Sequence, residues 1–416
     1  MIYNLLLALY FFPRYLFERF FSHKRRSFLW QRLGVFAYPP LKKREKPLIW
    51  IHAVSVGETK AAKPFLHQLR ERFPNGTIIV SSTTETGHEE AQKSLTEATM
   101  HLFLPFDFSF SVKRVLQAFP IDLLFFVETD LWYNLIRHAK KRGAKIFLIS
   151  AKMSKRSSSR YRWSSFYSKR LFSYFDCICC QNEDFKKRFL HAGAPLDKLC
   201  VTGNLKFDLP PNPISEKERE KWRTKFTTST QDRFVTIAST HATEEEGILS
   251  SLSLFLQMHP ETKIFLAPRH PERCPQVARF LEQNGFSYTY LSSLEPNKQI
   301  ILIDCLGFLS ICYALSSLAI VGGSFVDKIG GHNIFEPVSY GVPVFFGPYM
   351  SAQEEMAKYV LEHLCGHQVA LQEINASLTR YVTEKKWADE LSKNCIHLLK
   401  KNHYARETLQ TIEPYF

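Results

Sequence analysis

The sequence lacks the motifs that most directly reveal nucleotide or metal chemistry. No Walker loop of the form Gly-x-x-x-x-Gly-Lys-Ser/Thr occurs in its 416 residues, and no glycine-rich dinucleotide fingerprint follows the first predicted strand. Asp-x-Asp is also absent, which argues against an enzyme that holds a nucleotide sugar through a divalent ion bound to that motif. We therefore expect no metal ion and no cofactor.

Ordered cysteine patterns are missing as well. The nine cysteines contain no pair of Cys-x-x-Cys units. Cys177, Cys179 and Cys180 share one strand-like run, which favours a buried core over a metal site. Thiols distributed so irregularly are typical of a reducing compartment.

Negative charge is in short supply, since 54 basic residues face 40 acidic ones and the formal charge is +14. This balance indicates an anionic partner or surface. Nucleic acid, anionic lipid and a phosphorylated substrate all remain open at this point. A chain of this length exceeds one compact core, so we expect two domains.

The N-terminus is the most apolar part of the chain. The run Leu5–Pro13 is shorter than the ~20 residues that span a bilayer, and a basic cluster, His23–Arg26, follows it. No basic region precedes the run and no small-residue cleavage site follows it, which argues against a signal peptide. We predict that residues 1–30 form a membrane-associated helix held by anionic lipid. The alternative is an amphipathic helix packed on the protein's own surface.

From residue 47 onward, short apolar segments alternate with helix-length amphipathic ones, which predicts βαβ units and parallel sheets. The predicted strands are residues 48–54, 77–82, 101–104, 121–127, 144–149, 176–180, 234–238, 263–267, 300–303, 318–321 and 343–346. Pro210–Pro213 holds three prolines and interrupts this pattern as a linker. The predicted architecture is α/β, with two Rossmann-like, doubly wound domains over residues 31–209 and 210–416, the second carrying a helical tail.

Two groups in the second half suggest an anion site. The stretch Gly322–Pro337 places two glycine pairs between a predicted strand and a helix-like segment, residues 333–340. Bare backbone and a helix N-terminus suit a phosphate, although tight turns would give the same pattern. Arg269, His270 and Arg273 follow another strand; they favour an anion contact over an exposed basic helix start.

Three charged residues in the first half are candidates for chemistry. Glu58 begins a helix after Gly57, where the helix dipole would keep its carboxylate ionised and able to accept a proton; the same effect explains it without catalysis. Glu128 ends an apolar strand and caps a helix or needs a partner. Lys206 precedes the linker and could face either domain, while most lone lysines are solvated.

Five separated motifs together resemble a known family. They are His52–Glu58, Glu128–Trp132, Gly203–Asp208, Ala267–Arg273 and Gly322–Pro337. In this order they resemble the 3-deoxy-D-manno-octulosonic acid (Kdo) transferases of lipopolysaccharide synthesis, which have the two-domain GT-B glycosyltransferase fold. The resemblance covers nearly the whole chain.

The resemblance implies an inverting, metal-independent transfer of Kdo from CMP-Kdo to a lipid A precursor (lipid IVA) at the cytoplasmic side of the inner membrane, with no nucleic-acid partner. Glu58 matches the general base, and Glu128 and Lys206 match positions that stabilise the transition state. The positions that match the CMP-binding segments are Pro268, Arg269, Leu306, Gly307, Phe308, Asn333, Ile334, Phe335 and Glu336.

Three positions depart from the family's usual pattern. Tyr133 stands where proline is common, Lys152 replaces an arginine, and Phe308 replaces an acidic residue, so a ligand contact there is assigned to backbone. The alternative enzyme is another GT-B transferase of lipid A synthesis with a UDP-sugar donor. The non-enzymatic alternative is a basic protein that binds a membrane surface or nucleic acid.

Overall fold

The computed structural model describes Tyr3, Leu7, Arg32, Leu33 and residues 45–227 and 229–416. The chain divides into two units. The first extends to Leu209 and also contains His403–Phe416, and the second is Pro210–Asn402. The second unit thus begins within the proline-rich segment that the sequence identifies as a linker.

The first unit contains a sheet of seven parallel strands in the order β3-β2-β1-β4-β5-β6-β7. The strands are β1 (Leu48–His52), β2 (Thr77–Ser82), β3 (Met100–Phe103), β4 (Leu123–Val127), β5 (Lys145–Ala151), β6 (Cys177–Cys180) and β7 (Leu199–Val201). The helices are α1 (Val56–Arg72), α2 (Glu85–Ser94), α3 (Ser109–Ala118), α4 (Tyr133–Lys141), α5 (Lys155–Trp163), α6 (Ser165–Ser173) and α7 (Glu183–His191). Short 3₁₀ helices cover Leu196–Lys198 and Leu205–Asp208.

Both faces of this sheet are buried. Successive strand residues point to opposite faces, so the packing of neighbouring residues shows what covers each face. On β4, Leu124 and Phe126 join the apolar cluster of one face, while Phe125 and Val127 join that of the other. Residues on both faces must therefore be apolar, which explains the continuous apolar runs in the sequence.

The second unit repeats this plan with the strand order β10-β11-β9-β8-β12-β13-β14, again entirely parallel. Its strands are β8 (Arg233–Thr240), β9 (Thr262–Pro268), β10 (Tyr288–Tyr290), β11 (Ile300–Leu302), β12 (Ser316–Val321), β13 (Val344–Phe346) and β14 (Gly366–Gln368). Its helices are α8 (Glu216–Phe226), α9 (Glu244–Met258), α10 (Cys274–Gln283), α11 (Leu309–Leu315), α12 (Phe335–Ser339), α13 (Glu354–Glu362), α14 (Ile374–Thr383) and α15 (Lys385–Lys401), with 3₁₀ turns at Pro271–Arg273 and Leu371–Glu373.

Three strands of the structure are missing from the sequence prediction, namely β7, β10 and β14. Each has only three residues and lies at an edge of its sheet. Edge strands bury less of their surface, so their sequences carry polar residues such as His367 and no clear apolar pattern.

The C-terminal tail corrects the predicted domain boundary. We assigned residues 403–416 to the second domain, but α16 (Tyr404–Ile412) and the turn Glu413–Tyr415 belong to the first unit. Ala405, Leu409 and Ile412 are part of the apolar cluster on one face of the first sheet. The Ala405 N–H also donates to Asp208 Oδ2 at 2.6 Å. The tail thereby holds the segment that carries Lys206.

The predicted membrane helix lies largely outside the described residues. Of residues 1–30 the structure describes Tyr3 and Leu7, and the Tyr3 hydroxyl donates to Asp107 Oδ2 at 2.8 Å. Tyr3 also stacks on Tyr167 of the first unit. Within the described part of the chain, no helix has both the length and the apolar content needed to cross a bilayer.

Gly203→Ala tests how tightly the tail packs on the loop before Lys206. Gly203 has a φ of +85°, and a Cβ there would lie 2.0 Å from the Tyr404 ring. A left-handed backbone alone costs alanine about 1–2 kcal/mol, and the contact with Tyr404 adds to that cost. We expect a lower free energy of unfolding in urea than for the control Gly143→Ala, whose φ is +89° and whose Cβ would meet nothing within 4 Å. Equal losses in the two variants would contradict this packing.

Candidate active site

The loop after β1 forms a capping box that holds Glu58. Ser55 precedes α1, and its Oγ accepts a hydrogen bond from the Glu58 N–H at 3.4 Å. Glu58 Oε2 accepts in return from the Val54 N–H at 2.5 Å and the Ser55 N–H at 3.2 Å. The pattern Ser-x-x-Glu at a helix start therefore has a structural role here. It also fixes the carboxyl group at the carboxyl end of β1.

The protonation of Glu58 differs from the sequence expectation. Burial raises the pKa of Glu58 to about 7, the hydrogen bond from Val54 lowers it, and the charges of Glu128 and Asp130 raise it further. The expectation that the helix dipole keeps this group fully ionised was wrong, because desolvation outweighs it. A carboxyl group that titrates near neutrality can still accept a proton, and that is the range suited to a general base.

Glu128 lies between two lysines at the end of β4. It is 3% exposed and has a φ of +65°. Its Oε1 is 2.6 Å from Lys206 Nζ, and its Oε2 is 2.6 Å from Lys152 Nζ. Burial alone would raise the pKa of Glu128, but the Lys206 and Lys152 ammonium groups outweigh it and hold the pKa below its ordinary value. The structure thus brings Glu128 and Lys206 together, beside Glu58.

Sequence reasoning missed the role of Lys152. The sequence marked it only as a departure from a family pattern, although it follows β5 as Glu128 follows β4. The carboxyl ends of neighbouring parallel strands share one edge of a sheet, and this placement was the available signal.

Ser150 connects β5 to the Lys206 segment. Its Oγ accepts from the Leu205 N–H at 3.3 Å, and its carbonyl accepts from Gln181 Nε2 at 2.9 Å. Asn204 Oδ1 accepts from the Lys206 N–H at 3.0 Å. This network fixes the backbone from which the Lys206 ammonium reaches Glu128. Among the described residues, no cluster with metal-ligand spacing includes Glu58, Glu128 or Asp130.

In the second unit, a buried carboxylate accepts hydrogen bonds from the backbone that we had predicted to bind a ligand. Glu244 begins α9 and is fully buried. Its Oε2 accepts from the Gly323 N–H at 2.7 Å and the His241 N–H at 3.0 Å, and its Oε1 accepts from the Phe325 N–H at 2.9 Å. Both amides of the first glycine pair are therefore occupied by the protein, since the Gly322 N–H donates to the Ala238 carbonyl at 2.8 Å, and the prediction that this pair cradles a phosphate was wrong. The sequence did contain a signal for Glu244, because the first turn of α9, directly after Thr243, is acidic.

The second glycine pair serves close packing as well. Gly330 and Gly331 have φ values of +85° and +86°, and a Cβ at either would lie within 3 Å of Ser351 or Met350 atoms. The helix that follows is also shorter than predicted, since α12 covers only Phe335–Ser339.

The basic group after β9 separates into two parts. Arg273 Nη2 lies 3.0 Å from Glu245 Oε2, so its charge is already paired. The Arg269 side chain is exposed and makes no ion pair with any residue that the structure describes. Two histidines lie nearby, with His241 Nε2 2.7 Å from His332 Nε2. Burial and then the charges of His241 and Arg269 lower the pKa of His332 to about 4, so it is neutral. With respect to the described residues, Arg269 thus offers an exposed, unpaired positive charge to an anion.

The remaining predicted donor residues offer mostly backbone. The Leu306 side chain is exposed, whereas Phe308 packs edge to face on Trp222 at 4.7 Å between ring centroids. The Phe308 side chain is thus occupied, in keeping with an assignment to backbone. Gly307 has a φ of +86°, and a Cβ built there would meet no atom within 4 Å.

The other predicted donor residues, which are Pro268 at the end of β9 and Asn333, Ile334, Phe335 and Glu336 around the start of α12, differ in their exposure. Pro268, Ile334 and Phe335 are buried, so their side chains are not exposed to a ligand. Asn333 is exposed, and its Oδ1 accepts from the Phe335 N–H at 3.0 Å. Glu336 is half-buried. Burial raises the pKa of Tyr340, and the nearby charge of Glu336 raises it further.

Comparison with known proteins places the chain among glycosyltransferases. Residues 28–209 match the family model described as 3-deoxy-D-manno-octulosonic-acid transferase (kdotransferase). The 3-deoxy-D-manno-octulosonic acid transferase of Chlamydia trachomatis serovar A is 33% identical over 361 residues, which are 86% of this chain and 82% of that protein. The enzyme of the same name from Haemophilus influenzae is 36% identical over 76% of this chain and 74% of its own.

Solved structures agree on the architecture. A UDP-GlcNAc 2-epimerase from Neisseria meningitidis is 15% identical and covers 88% of this chain and 99% of its own, with a TM-score of 0.61. A glycosyltransferase from Rickettsia africae is 12% identical, with coverages of 89% and 99% and the same TM-score. At these identities the likeness shows the GT-B fold alone. The family follows from the sequence relatives, at 33% and 36% identity over most of both chains: the chain belongs to the Kdo transferase family, the glycosyltransferases of lipopolysaccharide biosynthesis.

Proposed function

We propose that this enzyme transfers Kdo from CMP-Kdo to a lipid A precursor, lipid IVA, with inversion and without a metal ion. The observation that carries the proposal is the group at the carboxyl edge of the first sheet, where Glu58 titrates near neutrality beside the ion-paired Lys152, Glu128 and Lys206. The relatives of this chain that are named 3-deoxy-D-manno-octulosonic acid transferases support Kdo as the sugar that is transferred.

Glu58 acts as the general base in this proposal. Its ionised carboxylate takes the proton from a sugar hydroxyl of the acceptor, and the freed oxygen attacks the anomeric carbon of Kdo as the CMP phosphate leaves from the opposite side. Attack from that side inverts the configuration. The capping hydrogen bonds from Val54 and Ser55 go to Oε2, which leaves Oε1 as the atom that receives the proton.

The two lysines supply charge to the substrates. With Glu128 ionised, the group Lys152–Glu128–Lys206 has a net charge of +1, and both substrates carry acidic phosphate or carboxylate groups. Because Glu128 fixes both ammonium groups at 2.6 Å, their positive charge is in place before substrate binds. Preorganised charge of this kind stabilises a transition state at little reorganisation cost.

A basic aromatic face supports contact with the cytoplasmic side of the inner membrane. Trp163, the last residue of α5, and Phe166, in the first turn of α6, are 92% and 84% exposed. No acidic residue occurs from Ala151 to Phe175, and the same segment carries Lys155, Arg156, Arg160, Arg162, Lys169 and Arg170. Exposed aromatics surrounded by cations suit an anionic lipid surface, where a lipid acceptor would be found.

Glu58→Gln tests the base. Glutamine keeps the capping box but cannot accept the proton, so we expect transfer to fall by about 10²–10⁴ while CMP still binds. In the wild type, kcat/KM should rise as the pH passes about 7, because deprotonation creates the base, and this rise should vanish in the variant. Glu85→Gln, at the exposed start of α2, is the matched control. A variant with wild-type turnover would exclude Glu58 as the base.

Arg269→Ala tests the donor site. Loss of a charge-assisted hydrogen bond to phosphate should raise the CMP dissociation constant about 10–100-fold, measured by calorimetry. The exposed Arg279 on α10 provides the control, and Arg279→Ala should bind CMP normally. UDP serves as the second ligand. Tighter binding of UDP than of CMP by the wild type would favour the alternative UDP-sugar enzyme, and an unchanged CMP constant would place the phosphate elsewhere.

The double variant Trp163→Ser, Phe166→Ser tests the membrane face. We expect its binding to vesicles that contain phosphatidylglycerol to weaken about tenfold or more, since two interfacial aromatics are lost. Binding is measured by co-sedimentation of the full chain, with pure phosphatidylcholine vesicles for comparison. Leu196→Ser removes another exposed apolar side chain and should have no effect. Equal binding by the double variant would show that this face does not contact lipid.

A further inference from the structure

Three cysteines meet on one face of the first sheet, at a place that the proposed reaction does not use. Cys177 and Cys179 are two residues apart on β6 and therefore point to the same side of the sheet, while Cys180 points to the other side. Cys200 lies opposite Cys179 on the neighbouring strand β7. The sequence interpretation of a core run omitted Cys200, because β7 was not predicted.

The three sulfur atoms form a small triangle. Cys177 Sγ lies 3.2 Å from Cys200 Sγ and 3.8 Å from Cys179 Sγ, and Cys179 Sγ lies 3.5 Å from Cys200 Sγ. Sulfurs at these separations lie roughly 2.0 Å from a common centre, close to the ~2.3 Å of a zinc–sulfur bond. An ion would therefore sit just outside their plane with little movement of the strands.

The surroundings favour sulfur as the sole protein ligand. Among the described residues, the group with metal-ligand spacing consists of these three cysteines alone. Phe147, Leu409 and Ile412 belong to the same apolar cluster. Cys177 and Cys179 are buried, whereas Cys200 is half-buried at the sheet edge and gives an ion a route in.

We propose that Cys177, Cys179 and Cys200 bind a soft, thiophilic d¹⁰ metal ion, either Cu(I) in threefold coordination or Zn²⁺ with a water as fourth ligand. Soft thiolates select such ions, and each thiol releases its proton when its sulfur is bound. The ion would join β6 to the edge strand β7. β7 leads directly into the segment Thr202–Lys206, so an ion that fixes β7 would support the position of this segment. Its role would be structural, and it would take no part in the transfer reaction.

Metal titration of the full-length reduced protein tests this site. Under anaerobic conditions, Cu(I) is added against a chromogenic Cu(I) chelator, and Cd²⁺ is used as a Zn²⁺ substitute whose sulfur bonds absorb in the ultraviolet. We expect one equivalent of at least one ion per chain, and the two arms identify which. Cys200→Ala and Cys179→Ala should each weaken binding about tenfold or more, as expected when a metal ligand is lost.

Cys180→Ala is the matched control, since Cys180 is equally buried on the same strand but faces the opposite side. It should bind the ion as the wild type does. If Cys179→Ala does not fold, Cys200→Ala at the sheet edge carries the test. No binding of either ion by the wild type, or binding by Cys200→Ala as tight as by the wild type, would overturn the proposal. A rise in thermal stability with the ion, absent in Cys200→Ala, would support the link between β6 and β7.

Discussion

A carboxylate buried between two ammonium groups is the interaction on which the first unit's site depends. Glu128 is almost inaccessible to solvent, and an unpaired charge in such a place would cost several kcal/mol. Lys152 and Lys206 offset that cost from two separate segments of the chain. In return, Glu128 fixes both cations at the edge of the sheet, and its negative charge contributes to the raised pKa of Glu58. The same ion pairs therefore organise the charge of the site, and the charge of Glu128 adds to the effect of burial, which is the main cause of the raised pKa of Glu58.

The second unit uses a buried carboxylate in a different way. Glu244 accepts backbone hydrogen bonds from Gly323 and Phe325, so it fixes the shape of a loop and not the position of a cation. Arg269 then remains exposed close to His241 and His332. One unit thus presents a paired set of charges, and the other presents a cation with no ion-pair partner among the described residues, near a loop that Glu244 holds by hydrogen bonds. This difference suits the proposed division of labour, in which the first unit moves a proton and the second binds phosphate.

The C-terminal tail shows why chain order is an incomplete guide to a domain. The alternation of strands and helices gave no reason to separate residues 403–416 from the second half. Yet Tyr404 packs against Gly203, and the Ala405 N–H donates to Asp208, so the tail supports the segment that carries Lys206. Pairing of β6 with β7 supports that segment from the other side, where the three cysteines lie. A short segment with one catalytic candidate is therefore held by parts of the chain that are far apart in sequence.

The pattern of apolar and polar residues was enough to predict the two parallel sheets, which the structure confirms, and the loops in which the candidate site residues lie. Strands buried on both faces must be apolar throughout, and the polar motifs after them stood out for that reason. Edge strands as short as β7 left no such signal. The tertiary structure alone decided which charges are paired, because the ion pairs join residues distant in the chain. Lys152 proved to be an ion-pair partner of Glu128, and Arg273 proved to be one of Glu245. Glu244 instead accepts hydrogen bonds from backbone amides of the glycine loop. Burial likewise decided that Glu58 titrates near neutrality, since desolvation depends on the neighbours that folding brings together.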